Sequence, residues 1–221
     1  MEVDTDRGGV RGRQPLGVAE FLGIRYARAP VGERRFRPPV AERWSGVRDA
    51  LEYPPSAIQA AVRPGAGGPL SALRGASAQP STDEDCLGLN VWTADLDGRA
   101  PVMVWIHGGG YTTGSGSNAA VNGARLAKAR GVVVVTLNHR LGLLGFLDLS
   151  HRLGPDYADS ANVGLLDLVA ALSWVHTNIT AFGGDPDNVT IFGCSGGGGK
   201  VSALLAMPAA RGLFHRAIVQ S

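Results

Sequence analysis

Apolar residues are spaced along this chain in two ways, and the change from one to the other marks out its elements. Short continuous runs rich in Val, Ile and Trp occur at Leu89 to Thr93, Val102 to Ile106, Val132 to Leu137 and Val189 to Phe192. Such runs predict strands buried on both faces, because a strand covered on both sides has no polar side to show. Between the last two, Leu165, Val169, Leu172, Val175, Ile179 and Phe182 recur at spacings of three and four. That period predicts a helix with one apolar face, ended by Gly183 and Gly184. Good helix formers from Ala119 to Arg130 predict a helix between the second and third strands. A last helix, Lys200 to Met207, leads through Pro208 to a final apolar strand, Ala217 to Gln220. Strands alternating with helices specify right-handed crossovers and an α/β architecture, a mostly parallel sheet with helices on both faces.

Outside this pattern, the first quarter through Tyr53 is rich in Arg, Gly and Pro with short apolar pieces such as Val18 to Tyr26. It predicts small strands and turns laid over a sheet edge. From Val62 to Ser81 the chain turns to Pro, Gly, Ala and Ser, which cannot bury enough surface for a regular element and predicts a surface loop. With no repeat and no second core in view, residues 1–221 read as one domain.

Composition narrows the classes of function. A hydrophobic content of 44% supports a packed core, and a net charge of +2 from 21 basic and 19 acidic residues makes no field that would attract nucleic acid. The first thirteen residues carry charges of both signs and three glycines where an export signal needs an apolar stretch, and no uninterrupted apolar run approaches bilayer length. A soluble, cytoplasmic protein with no membrane partner is expected. In that compartment Cys86 and Cys194 are expected as free thiols. Asn178-Ile179-Thr180 and Asn188-Val189-Thr190 match the glycosylation pattern but fall in a predicted helix and strand, and are read as chance.

Candidate chemistry sits where the fourth strand ends. Gly193-Cys194-Ser195-Gly196-Gly197 is a G-x-S-x-G sequence between a predicted strand and a predicted helix. A turn of this kind lifts a serine to the tip of a sheet in a sparsely populated backbone conformation, and small residues two positions either side let strand and helix pass closely. The helix that follows points its unpaired N–H groups at the place where negative charge would develop. Gly199-Lys200 invites comparison with a phosphate-binding loop. That motif needs glycine where Cys194 stands and a hydroxyl where Val201 stands, so Lys200 reads as a helix residue with a solvated or locally paired amine. His107-Gly108-Gly109-Gly110-Tyr111 directly follows the strand Val102 to Ile106. Glycines there leave backbone N–H groups uncovered and able to converge on one oxygen. His107 precedes the serine and lies inside this loop, and it reads as a side chain that fixes the loop.

These motifs together resemble the type B carboxylesterase family, over about Val10 to Ser221. Phe21-Leu22-Gly23-Ile24-Arg25-Tyr26-Ala27 with Pro38-Pro39 is similar to the family's first signature, and Glu84-Asp85-Cys86-Leu87-Gly88-Leu89-Asn90-Val91 to its second. Asn138-His139-Arg140-Leu141-Gly142, Phe182-Gly183-Gly184-Asp185-Pro186 and Leu213-Phe214-His215-Arg216-Ala217 resemble later segments. The resemblance implies an α/β-hydrolase fold, a small-molecule ester as substrate and no metal or cofactor. It places the acyl nucleophile on Ser195 and the oxyanion donors on Gly109, Gly110 and Gly196, where most members have Ala in the last place.

Departures from the family pattern shape the rest of the reading. Cys194 stands where the family usually has Glu, and Ala57 stands where secreted relatives have the disulfide partner of Cys86. In this fold the triad acid and base follow the serine. From Gly196 to Ser221 there is no Asp or Glu, and His215 is the only His. The expectation is therefore the N-terminal part of one α/β-hydrolase domain, truncated after the strand that follows the nucleophile helix. As such a fragment it would lack the triad acid and base and turn over little ester. His139, His151, His176 and His215 are expected to be structural or solvated. The alternative is a non-catalytic esterase-like binding or interaction domain. Oligomeric state and ester preference are not encoded in any motif.

Overall fold

The computed structural model describes residues 1–60 and 81–221. Its strands are β1 (Glu2–Thr5), β2 (Gly8–Arg11), β3 (Ala19–Arg25), β4 (Val47–Asp49), β5 (Gly88–Thr93), β6 (Ala100–Ile106), β7 (Val133–Leu137), β8 (Gly184–Cys194) and β9 (Arg216–Gln220). Among the described residues the α-helices are α1 (Ala124–Arg130), α2 (Gly142–Phe146), α3 (Ser150–Leu153), α4 (Val163–Asn178) and α5 (Gly196–Ala206). A small sheet joins β1, β2 and β4, and the main sheet runs β3-β5-β7-β6-β8-β9. Its β7, β6, β8 and β9 are mutually parallel, whereas β3 and β5 enter antiparallel.

Side chains alternate across this sheet and reach two different layers, which is why both faces need covering. Val133, Val135 and Leu137 of β7 point into the larger core with Val102, Val104, Ile106, Val189 and Ile191, roofed by Leu168, Leu172 and Val175 of α4 and Val201 and Leu204 of α5. Val134 points the other way, to Trp92 and to Ala127 of α1. The mostly parallel sheet with helices on both faces is thus present. Strands β5 and β7 are buried throughout, as their apolar runs predict. Strands β6 and β8 are buried on one face only, because Met103, Trp105 and Phe192 lie half-exposed on the other.

Several expectations need correction. Val18 to Tyr26 is not a cover over the sheet edge: β3 is itself the edge strand, paired with β5, and Phe21 packs edge-on to Phe182 with ring centroids 5.0 Å apart. Helix α5 begins at Gly196, before the apolar period starts, because glycine contributes no periodic signal yet the close crossing over the strand ends admits nothing larger. The stretch Ala119 to Arg130 splits into a 3-10 turn and α1, with Gly123 between them: a Cβ there would lie 2.6 Å from Val134. The run 155–182 is apolar and long enough to cross a membrane by length and composition, but it includes α4, whose Leu168, Leu172 and Val175 are buried on the sheet. The expected loop from Val62 lies outside the described residues except for Ser81, whose carbonyl accepts from the Ser56 amide at 2.8 Å.

Segments singled out as motifs prove to be the fold's polar fastenings. Arg140 and Asp167 form a buried ion pair in which Asp167 accepts from Arg140 Nε (2.8 Å), Nη2 (2.7 Å) and N (3.0 Å). Asn138 accepts from the Gly116 amide (2.7 Å) and donates to the carbonyl of Pro55 (2.8 Å). Asp85 and Glu84 bind Arg25 and Arg35. Asn178 is buried, with its amide shared between Asp6 and the Trp174 carbonyl, so the acceptor pattern around it is structural.

Candidate active site

Strand β8 delivers Ser195 into a turn with φ 57° and ψ −124°. A non-glycine residue in such a region costs about 1–3 kcal/mol and persists only where its surroundings over-determine it. Here they do. The Ser195 amide donates to the Gln220 carbonyl of β9 (2.8 Å), and its carbonyl accepts from the Gly199 amide (3.0 Å) in the first turn of α5. A Cβ on Gly193 would lie 2.6 Å from the carbonyl carbon of Gly197, and one on Gly197 would lie 2.2 Å from the Ile106 carbonyl oxygen. Strand and helix therefore cross at a distance that only hydrogen side chains allow. The preceding Cys194 is exposed, whereas Cys86 is buried, and both are free thiols.

The triple-glycine loop after β6 meets this turn. A Cβ added to Gly108 would stand 3.6 Å from Ser195 Cβ, and one added to Gly196 would stand 2.4 Å from the Gly110 amide nitrogen. Gly109 (φ 98°) and Gly110 (φ 65°) hold left-handed conformations that the turn requires. In a planar trans peptide the carbonyl and the next N–H point opposite ways, so whatever holds a carbonyl aims the following amide. The Gly108 carbonyl lies 2.9 Å from His107 Nδ1, which must carry its proton since a carbonyl only accepts. The Gly109 carbonyl accepts from the amide and the hydroxyl of Thr113, both at 3.1 Å. These bonds orient the amides of Gly109 and Gly110. Among the described residues neither of them, nor the amide of Gly196, has an acceptor. Such uncommitted donors are open to water or to an anion.

Behind the loop lie two buried imidazoles. His107 stacks on His139 with centroids 4.8 Å apart and planes at 12°, and His139 Nδ1 sits 2.8 Å from the Arg140 carbonyl. Burial, then the charge of Lys200, lowers the pKa of His107 to about 4; burial, then His107, lowers that of His139 too. Both are neutral in the fold at pH 7, so the sign of their linkage follows. Between pH 6.5 and about 4 the unfolded chain binds protons that folded His107 refuses, so its contribution is complete above 6.5 and lost as the pH falls. The loss is on the order of 3 kcal/mol for His107. Thermal melts from pH 7 to 4.5 should show a steep fall in Tm that His107→Gln flattens; equal slopes would remove this role.

Lys200 lies in α5 as expected, but its amine is neither solvated nor paired locally. Its side chain is buried rather than solvated, and its ammonium donates to the carbonyls of Gly110 (2.7 Å) and His107 (3.3 Å). The sequence signal could not show this, because the acceptors lie 90 and 93 positions away. His215, by contrast, stands beside the middle of β8: its Nδ1 accepts from the Val189 amide (3.2 Å), six residues from Ser195 and roughly 20 Å along the chain. His151 and His176 are exposed. Among the described residues the Ser195 hydroxyl has no hydrogen-bond partner, and no group of three or more His, Cys, Asp or Glu could hold a metal ion.

The model of the carboxylesterase family matches residues 1–221. The chain is 48% identical over 221 residues to the para-nitrobenzyl esterase of Bacillus subtilis, covering 99% of the chain and 43% of that protein. It is 47% identical over 234 residues to liver carboxylesterase 1 of Oryctolagus cuniculus, covering 99% of the chain and 39% of that protein. Among solved structures, a carboxylesterase of Geobacillus stearothermophilus superposes with a TM-score of 0.86 at 47% identity, covering 98% of the chain and 42% of its own. An esterase of Clostridium hathewayi described as able to hydrolyse aliphatic aromatic polyesters gives 0.90 at 50%, covering 99% and 43%. The chain thus spans about two-fifths of the length of the relatives it matches.

Proposed function

The chain belongs to the carboxylesterase family, and on that premise we propose that it carries the nucleophile and the oxyanion-binding half of a serine ester hydrolase. The observation that supports this most is the meeting of a strained serine with three uncommitted glycine amides from two separate segments. Ser195 Oγ attacks the carbonyl carbon of an ester, a C–O bond forms, and the carbonyl electron pair moves to the oxygen. The amides of Gly109, Gly110 and Gly196 hold that oxyanion. One such donor is worth about 3–4 kcal/mol in the transition state. Collapse of the intermediate breaks the bond to the alcohol, which leaves with a proton, and water then cleaves the acyl-serine to the carboxylic acid. A general base takes the proton from Ser195 and returns it to the leaving alcohol; among the described residues the hydroxyl has no hydrogen-bond partner in that role.

The test is covalent. A fluorophosphonate should label the protein in extracts of the cells that make it, and mass spectrometry should locate the adduct in the tryptic peptide from Leu153 to Lys200. Ser195→Ala should abolish it. An unlabelled native protein would dismiss the esterase reading in favour of a fold kept for binding alone.

A further inference from the structure

Resting on that reading of Ser195, we propose that Lys200 is a positioning residue of the oxyanion loop, clamping both ends of His107–Tyr111 onto the helix that begins after the serine. Each carbonyl from His107 to Gly110 has a donor, and the donors divide the work. His107 Nδ1 and Thr113 hold the two inner carbonyls, of Gly108 and Gly109. The two outer ones, of His107 and Gly110, are both held by the single ammonium of Lys200. The Lys200 bonds therefore fix the two peptides that flank the donors, while the His107 and Thr113 bonds aim the Gly109 and Gly110 amides themselves. The clamp also explains why the loop lies so close to α5 that a methyl at Gly196 would meet the Gly110 backbone at 2.4–2.5 Å.

An ammonium is an unusual choice for this place, because burying one unpaired is costly. Among the described residues no carboxylate pairs with Lys200. The groups that face it are the ring of Tyr111, 5.3 Å from Nζ, and His107 with His139 stacked behind. Both imidazoles are neutral at pH 7, so on these elements only the face of the Tyr111 ring offsets its charge. A neutral hydrogen-bonding side chain would cost less to bury. What the amine adds is reach to two carbonyls at once with a charge-assisted bond to each.

This arrangement gives the loop a handle that pH can release. Burial lowers the pKa of Lys200 to about 8, so the ammonium is lost as the pH rises through that value. The unfolded chain keeps its proton up to about 10.5, so over this window the unfolded state binds more protons and stability rises with pH. Reactivity and the Lys200 part of the stability therefore move in opposite directions, while Cys86 and Tyr26, whose pKa values burial raises, lower stability above about pH 9 in every variant alike.

The experiment measures the second-order rate of fluorophosphonate labelling at Ser195 from pH 7 to 10, corrected for reagent hydrolysis, alongside Tm at each pH. In the unsubstituted protein the rate should fall above pH 8 while Tm drops less than that of Lys200→Met over the same range. Lys200→Met should label on the order of a hundredfold more slowly at pH 7, as a misplaced loop implies, and show no further fall above pH 8. Lys200→Arg should recover part of the rate and keep it to pH 10. A rate in the unsubstituted protein that stays level to pH 10, or Lys200→Met labelling at the unsubstituted rate, would overturn the clamp and leave the esterase reading standing. If Lys200→Met does not fold, the unsubstituted profile still decides. No labelling of the unsubstituted protein at any pH would defeat the esterase reading and this inference together.

Discussion

Asp167→Ala is expected to cost about 3–5 kcal/mol, a large part of the ~5–15 kcal/mol that holds a domain of this kind together. The reason is the charge left behind rather than the bond lost. Asp167 is fully buried on the inner side of α4 and accepts three hydrogen bonds from Arg140, whose Nη1 donates onward to the Arg37 carbonyl at 2.8 Å. Without the carboxylate, the guanidinium stays in the core with the Arg37 carbonyl as its remaining partner. Arg140→Met combined with Asp167→Leu removes both charges and should recover more than half of the loss. Urea unfolding followed by circular dichroism reads the outcome as shifts in midpoint at constant slope. A single-variant loss under about 1 kcal/mol would show that water reaches the pair. The effect should also be felt at the active site, because the Arg140 carbonyl holds His139, and His139 is the surface on which His107 stacks.

Gly109→Ala should lower the rate of Ser195 labelling by about a hundredfold to a thousandfold while the urea midpoint moves little. Residue 109 has φ 98°, where an L side chain is strained, and its Cβ would lie 2.3 Å from the Thr113 carbonyl oxygen. The loop must open to admit the methyl, and the Gly109 carbonyl then leaves the Thr113 donors that aim the Gly110 amide. Loss of one oriented donor accounts for a rate effect of that size. Stability should change by no more than about 1–2 kcal/mol, since the strain is confined to one turn. Unchanged labelling would mean that the glycine amides do not touch the oxyanion.

What the sequence shows and what it hides divide along physical lines. The buried strands are legible because each is a local run with no polar face, and the serine turn because glycines at fixed offsets have one steric purpose. The order and direction of the strands are not, for a period of two is the same up or down a sheet. So β3 looks like covering when it is the edge strand, and the antiparallel entry of β5 leaves no mark in its composition. Helix α5 is hidden for its first turn by its own glycines. The ion pair of Arg140 and Asp167 and the burial of Lys200 are invisible for another reason: a charged side chain reads as solvated until its distant partners are known. The family resemblance supplies the roles of the glycine amides, while Lys200 becomes apparent only when the carbonyls of the loop are counted one by one.

Cys194 has a practical consequence. Of the two thiols, it alone meets solvent, and it adjoins Ser195 along the backbone. A maleimide-linked dye should therefore attach at a single place, beside the proposed nucleophile, with Cys194→Ser as the control for selectivity. Its emission would register an inhibitor entering or leaving without any chromogenic ester, and so give a direct optical view of occupancy even in variants whose chemistry has been silenced.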